Sequence, residues 1–178
     1  MGAPQTKWRT QCMGESPLPI VCAVQGLALA GGIELVLACD VVFAGSKAQF
    51  GDQHAQFGLV PGWGGSQRLT RTIGLRRALD LFFTARWLDA EAALDIGLVN
   101  YVVKTEELRP AALAYCNDLG KRSRGGLAAM KSLARKGVEM ELFEGVAMEH
   151  ATTTDLLLEA DASEGLAAFQ ERREPRFP

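Results

Sequence analysis

The chain has 178 residues, 48% hydrophobic and 22% charged, with a formal net charge of −2. Its length fits one domain and its composition an ordinary globular balance. The small net charge gives no electrostatic case for a nucleic-acid partner, and no apolar run is long enough to make a bilayer one.

In chain order, residues 1–18 are polar and broken by Gly2, Pro4, Gly14 and Pro17, and they read as an irregular tail or a cut edge. Lys7 and Arg9 have no apolar core behind them, so the segment does not read as a secretory signal. Pro19 opens a β-branched run, residues 20–24, closed by Gly26; this predicts a buried strand. A short helix over 33–39 and a second buried strand over 41–44 follow. Residues 49–65 are rich in glycine and contain Pro61, which predicts short strands and loops. Helices are expected at 66–71, 76–84 and 90–96, and a strand at 101–103.

Beyond Thr105, a natural N-cap, the pattern is helical. Leu108, Ala111, Ala112, Tyr115 and Leu119 form one apolar face, and Leu127, Met130, Leu133 and Ala134 a second. Phe143, Val146, Ala147, Ala151, Thr154 and Leu157 form a third, and Leu166 and Phe169 lie on a last short helix. The expectation is an α/β front, residues 1–104, followed by a helical back, residues 105–178, with no internal repeat.

Cys12, Cys22, Cys39 and Cys116 are widely spaced with no C-x-x-C pair, and read as reduced, mostly buried thiols of an intracellular protein. His54 and His150 lack ligand-spaced neighbours, so no metal site is expected. His150 shares the stripe of Phe143 and Val146 and reads as a packed or interface side chain. Met130, Met140 and Met148 read as core or interface fillers.

Chemistry concentrates in two segments. In residues 31–39 the one charged side chain is Glu34, on a helix apolar all round. A buried carboxylate costs several kcal/mol unless it is paired, so Glu34 is either a structural ion-pair member or a functional acid–base group. Gly31 and Gly32 open that helix. Its first N–H groups lack intrahelical acceptors, and glycine lets a ligand approach them, which suits an oxyanion hole; the other reading is a tight packed turn. The second segment, Pro61-Gly62-Trp63-Gly64-Gly65-Ser66, lacks the lysine of a P-loop and fits neither G-x-G-x-x-G nor G-x-S-x-G, and reads as a structural turn.

Taken together, Gln25-Gly26-Leu27-Ala28-Leu29-Ala30-Gly31-Gly32-Ile33-Glu34-Leu35 with Cys39-Asp40 resembles the signature of the crotonase (enoyl-CoA hydratase/isomerase) superfamily. So do Phe50-Gly51, the run from Gly58 through Leu69 to Arg71 and Gly74, the block from Ala90 to Val99, and the ending at Phe177. The resemblance covers nearly the whole chain from Pro17.

It implies a spiral of ββα units, here partial, followed by helices that build a homotrimer or hexamer. It implies an acyl-CoA thioester as substrate, no cofactor, and a place in fatty acid metabolism, with the cytoplasm as the expected location. Gly31 stands at the position of one of two oxyanion N–H donors, and Glu34 at that of the first of two hydratase glutamates. Ala28, Ala30 and Gly62 take substrate-binding positions.

Two departures accompany the resemblance. Gln53-His54 stands where Pro-Glu is usual, which makes His54 a candidate second acid–base group or a polar residue in a changed site. The family also carries a longer N-terminal portion, with the other oxyanion donor and much of the adenine pocket. Hydration of a 2-enoyl-CoA is the leading expectation; double-bond migration, thioester hydrolysis and a non-catalytic binding or assembly role are the others. The basic run Lys121, Arg122, Arg124, Lys131, Arg135 and Lys136, with the acids from Glu139 to Glu164 after it, reads as solvated or mutually attracting helix faces, or as a CoA phosphate contact.

Overall fold

The computed structural model describes residues 4–177, with side chains from Thr10 onward. The chain divides into two compact units, one comprising residues 20–114 with the N-terminal segment to Ser16, the other residues 115–178 with Pro17–Pro19.

The first unit opens with helix α1 (Pro4–Glu15) and then alternates strands and helices. These are β1 (Val21–Val24), β2 (Leu27–Leu29), α2 (Gly31–Val36), β3 (Val41–Gly45), β4 (Gln49–Gly51), α3 (Gly65–Ile73), α4 (Leu75–Thr84), β5 (Leu88–Asp89), α5 (Ala90–Asp95) and β6 (Tyr101–Val103). A helix α6 (Leu108–Leu119) follows. One sheet runs β1-β3-β6, all parallel; the other runs β2-β4-β5, with β2 and β4 parallel and β5 antiparallel. The α/β expectation therefore holds for this unit.

In the first sheet Phe43 faces Tyr101 in register, and their rings stack with centroids 4.5 Å apart. Such a cross-strand pair fixes register as well as burying area. The core gathers Ile33, Phe50, Leu69 and Leu81, all almost completely buried, around the two sheets. α5 is capped as its sequence directs: Asp89 accepts from the Ala92 N–H at 2.8 Å.

Several expectations need correction. Of the segment read as an irregular tail, residues 4–15 form α1 and residues 16–18 are irregular, while residues 1–3 lie outside the described residues. The helix carries no apolar stripe, so no periodicity announced it. Pro4 stands first in the helix, where its missing N–H is harmless, and Thr10 is buried with its hydroxyl donating to the Trp63 carbonyl at 3.3 Å. α2 begins at Gly31 and ends at Val36, because the next turn tightens: Ala38 and Cys39 donate to Leu35 and Val36, three residues back. β2 and β5 were not anticipated; each is two or three residues long and owes its strand character to pairing with β4. Thr105 caps no helix: it lies in a 3₁₀ turn (Thr105–Glu107) before α6, with its hydroxyl 3.5 Å from that of Ser46. The thiols were expected to be mostly buried, but Cys12 and Cys116 are exposed and Cys22 and Cys39 half-buried.

The second unit is helical. It holds the end of α6 and helices α7 (Arg124–Gly137), α8 (Leu142–Leu156) and α9 (Ala160–Glu171). Ser123 caps α7, accepting from Gly126 N–H at 3.0 Å, and its hydroxyl donates to Asp161 at 2.6 Å, tying the start of α7 to the first turn of α9. Among the described residues of this unit, Ala168 alone is a fully buried hydrophobic side chain. The apolar faces read from the sequence lie open instead. Leu142 is 82% and Phe169 83% exposed, and Phe143, Leu157, Leu158 and Leu166 are exposed with them.

Candidate active site

β2 delivers the chain to Ala30, which adopts a left-handed φ of 48° and passes directly into α2. A non-glycine residue there is strained, and two hydrogen bonds hold it: Ala30 N–H donates to Gly51 at 3.0 Å, and its carbonyl accepts from Glu34 N–H at 3.3 Å. The turn puts Gly31 at the first helical position and buries Glu34 on the next turn, 2% exposed.

Glu34 is met by the glycine-rich loop. Its Oε1 accepts from the backbone N–H groups of Trp63 and Gly65, each at 2.7 Å. Charge-assisted bonds of this length suit an ionised carboxylate. The loop can come so close because Gly65 has no side chain: a Cβ there would lie 2.9 Å from Glu34 Oε1 and 3.0 Å from Pro61 Cβ. The Trp63 ring fills the space beside Gly31, where a Cβ would collide with it. The segment read as a structural turn is thus a turn built around a carboxylate. Arg68 fastens it by donating to the Trp63 carbonyl at 2.7 Å.

The other carboxylate oxygen faces His54. Glu34 Oε2 lies 3.8 Å from His54 Nε2, and the imidazole is 11% exposed. His54 stands just after β4 at the start of a 3₁₀ turn (Ala55–Phe57). On its far side, Nδ1 lies 3.0 Å from Asp52 Oδ2 and 3.1 Å from Oδ1, and His54 N–H donates to Oδ1 at 3.1 Å. Asp52 is 1% exposed. Gln53, between them, donates from Nε2 to the Ala85 carbonyl at 2.5 Å. The row Asp52–His54–Glu34 is therefore a carboxylate–imidazole–carboxylate array in which Oε2 of Glu34 and Nε2 of His54 face one another.

Of the residues singled out by sequence, Gly31, Glu34 and His54 come together. Ala30 sets the turn before them. Ala28 is in the core, so contact with a ligand from it would run through its backbone, and Gly62 is exposed at the head of the glycine-rich loop. Sequence reasoning missed Asp52. The signal was present in Asp-x-His after Phe50-Gly51, because an aspartate reaches the backbone and side chain of the second residue after it in an Asx-type turn. His150 is exposed on α8.

The α/β unit thus buries a carboxylate that faces an imidazole, next to a short helix opened by glycine. A profile described as "Enoyl-CoA hydratase/isomerase" matches residues 5–178, and the chain belongs to that family. It is 41% identical over 159 residues to a Mycobacterium leprae protein named probable enoyl-CoA hydratase echA8, covering 89% of this chain and 62% of that one. It is 39% identical over 165 residues to the mitochondrial methylglutaconyl-CoA hydratase of Mus musculus, covering 90% of this chain and 52% of that one. The solved structure of an enoyl-CoA hydratase from Bacillus anthracis superposes with a TM-score of 0.95 at 32% identity, over 99% of this chain and 71% of that one. The chain thus spans 62% and 52% of the lengths of these two sequence relatives.

Proposed function

We propose that the protein hydrates 2-enoyl-CoA thioesters, with Glu34 and His54 as the acid–base pair. The observation that carries this reading is the 3.8 Å separation of Glu34 Oε2 and His54 Nε2, with both side chains nearly buried. Both atoms can hydrogen-bond one water at the apex of the triangle they define. Glu34 takes a proton from that water as its oxygen adds to the β-carbon. The electron pair of the double bond passes to the thioester oxygen, where Gly31 N–H, the first N–H of α2, supports the developing charge. Protonated His54 then delivers a proton to the α-carbon, and transfer of the proton from Glu34 to His54 across the short gap resets the site. The sum is one water added across one double bond, and no cofactor takes part.

The family membership and the hydratase names of both sequence relatives support this reading. The test is the loss of ultraviolet absorbance of a short 2-enoyl-CoA on adding the purified chain. Loss that Glu34→Gln removes supports the proposal, and full turnover in that variant overturns it.

One observation favours a second reading. A histidine backed by a buried aspartate is suited to activating water for attack on a carbonyl carbon, which would make the reaction thioester hydrolysis. Release of free CoA thiol without prior loss of enoyl absorbance would select it.

The exposed apolar residues of α8 and α9 support assembly into a trimer or a pair of trimers, the role we assign to the helical region from residue 105 onward. Acyl-CoA of fatty acid metabolism is the proposed substrate pool. The cytoplasm is the proposed site of action. Among the described residues no helix is long and apolar enough to cross a membrane.

A further inference from the structure

We propose that Asp52 is a positioning residue: it holds the proton on His54 Nδ1 and so dedicates Nε2 to the face shared with Glu34. This rests on the reading of Glu34 and His54 as an acid–base pair, and the test below separates the two.

The geometry leaves Nδ1 one role. Both Asp52 oxygens lie within hydrogen-bond distance of it, at 3.0 and 3.1 Å, and an ionised carboxylate only accepts. The bond therefore requires the proton on Nδ1. A neutral imidazole so arranged has a bare Nε2, able to accept a proton from the Glu34 side; the imidazolium has an Nε2–H, able to give one back. With the tautomers exchanged, Nε2–H would point at Glu34 in the neutral ring and could accept nothing. The surroundings fix Asp52 as firmly as Asp52 fixes the ring. It is 1% exposed, it follows β4, and its neighbour Gln53 is bonded to the Ala85 carbonyl. Gly51, before it, accepts from Ala30 N–H, which ties this loop to the turn carrying Gly31.

A purely structural Asp52 would merely close the turn through its bond to the His54 backbone N–H. The two roles separate in Asp52→Asn. The amide oxygen stays with the His54 N–H, as Oδ1 does now at 3.1 Å, so the NH2 group takes the place of Oδ2 and donates to Nδ1. That forces the ring proton onto Nε2. The corresponding exchange in a serine-protease triad leaves geometry intact and lowers turnover by about 10⁴-fold.

The experiment is nitrogen-15 NMR of the imidazole in the full chain carrying His150→Gln, an exposed change that leaves His54 as the one histidine. Spectra are read at the alkaline end of the ring's titration, where it is neutral. The expected result is Nδ1–H in the parent and Nε2–H in Asp52→Asn. A parent ring with its proton on Nε2 overturns the proposal without any variant having to fold, and so does a folded Asp52→Asn with the tautomer unchanged. Hydration is then assayed in both. A fall of about 10²–10⁴-fold in kcat with the tautomer switch supports Asp52 acting through His54. Full hydration in His54→Gln overturns the acid–base reading, whatever the tautomer.

Discussion

At the scale of single residues, Glu34 does two jobs that different substitutions separate. As an acceptor it anchors the loop through Trp63 and Gly65 N–H; as the base we propose, it presents Oε2 to His54. Glu34→Gln keeps a carbonyl oxygen for the two N–H donors, so its melting temperature should stay near the parent's while hydration falls by about 10²–10⁴-fold. Glu34→Ala should instead unfold at lower temperature, because the buried Gly65 N–H loses its acceptor at about 1–3 kcal/mol and the part-buried Trp63 N–H loses its own at less. Thermal melts beside enoyl-CoA assays check both. Gly65→Ala is expected to damage the site from the other side. Its Cβ would lie 3.0 Å from Pro61 Cβ and from Glu34 Cγ, groups that cannot swing away. A cost of about 1–3 kcal/mol in urea unfolding, with activity lost, is the expected result. Glu34 was legible in the sequence because a lone charge in an apolar helix demands an explanation. Its partners were not, since Trp63 and Gly65 bond through backbone N–H groups that no side-chain pattern reveals.

At the scale of elements, the C-terminal turn offers a pH test. Arg173 donates two bonds to Glu164, at 2.6 and 2.9 Å, and Arg176 N–H donates a third at 2.7 Å, pinning the tail to α9. These bonds, Arg173 first and the Arg176 backbone second, hold the Glu164 carboxyl at about 2 against an ordinary 4.5. Arg173 is correspondingly raised. Between those two values the unfolded chain binds the proton that the folded chain refuses, so this contribution to stability is complete above about pH 4.5 and lost as pH falls toward 2. Glu164→Gln should lower the melting temperature modestly at neutral pH, since the pair is exposed, and the gap should close on acidification. A gap independent of pH would refute the assignment. α4, α5 and β6 were predictable from apolar spacing and glycine punctuation. α1, β2 and β5 were not, because their conformations rest on contacts with distant parts of the chain.

At the scale of the whole molecule, the open apolar faces of α8 and α9 set the main expectation. Contiguous exposed leucine and phenylalanine side chains of this kind mark contact surfaces. Light scattering should give a mass that is a multiple of three chains. Leu142→Asp together with Phe169→Asp should release smaller species while leaving far-ultraviolet dichroism largely intact. A monomeric parent would refute the assembly proposal.

By itself, the sequence determined the α/β-then-helical order, the family resemblance, the glycine-opened helix with its buried glutamate, and the imidazole in place of the usual second carboxylate. These are properties of local spacing and residue type. Tertiary structure alone decided that the glycine-rich loop wraps Glu34 and that Asp52 backs His54. Those outcomes depend on which backbone N–H groups and ring nitrogens meet in space. Residues as far apart in the chain as Glu34 and Gly65, or close but on opposite sides of a ring as Asp52 and Glu34 are about His54, share one site only after the sheets have set the loops side by side.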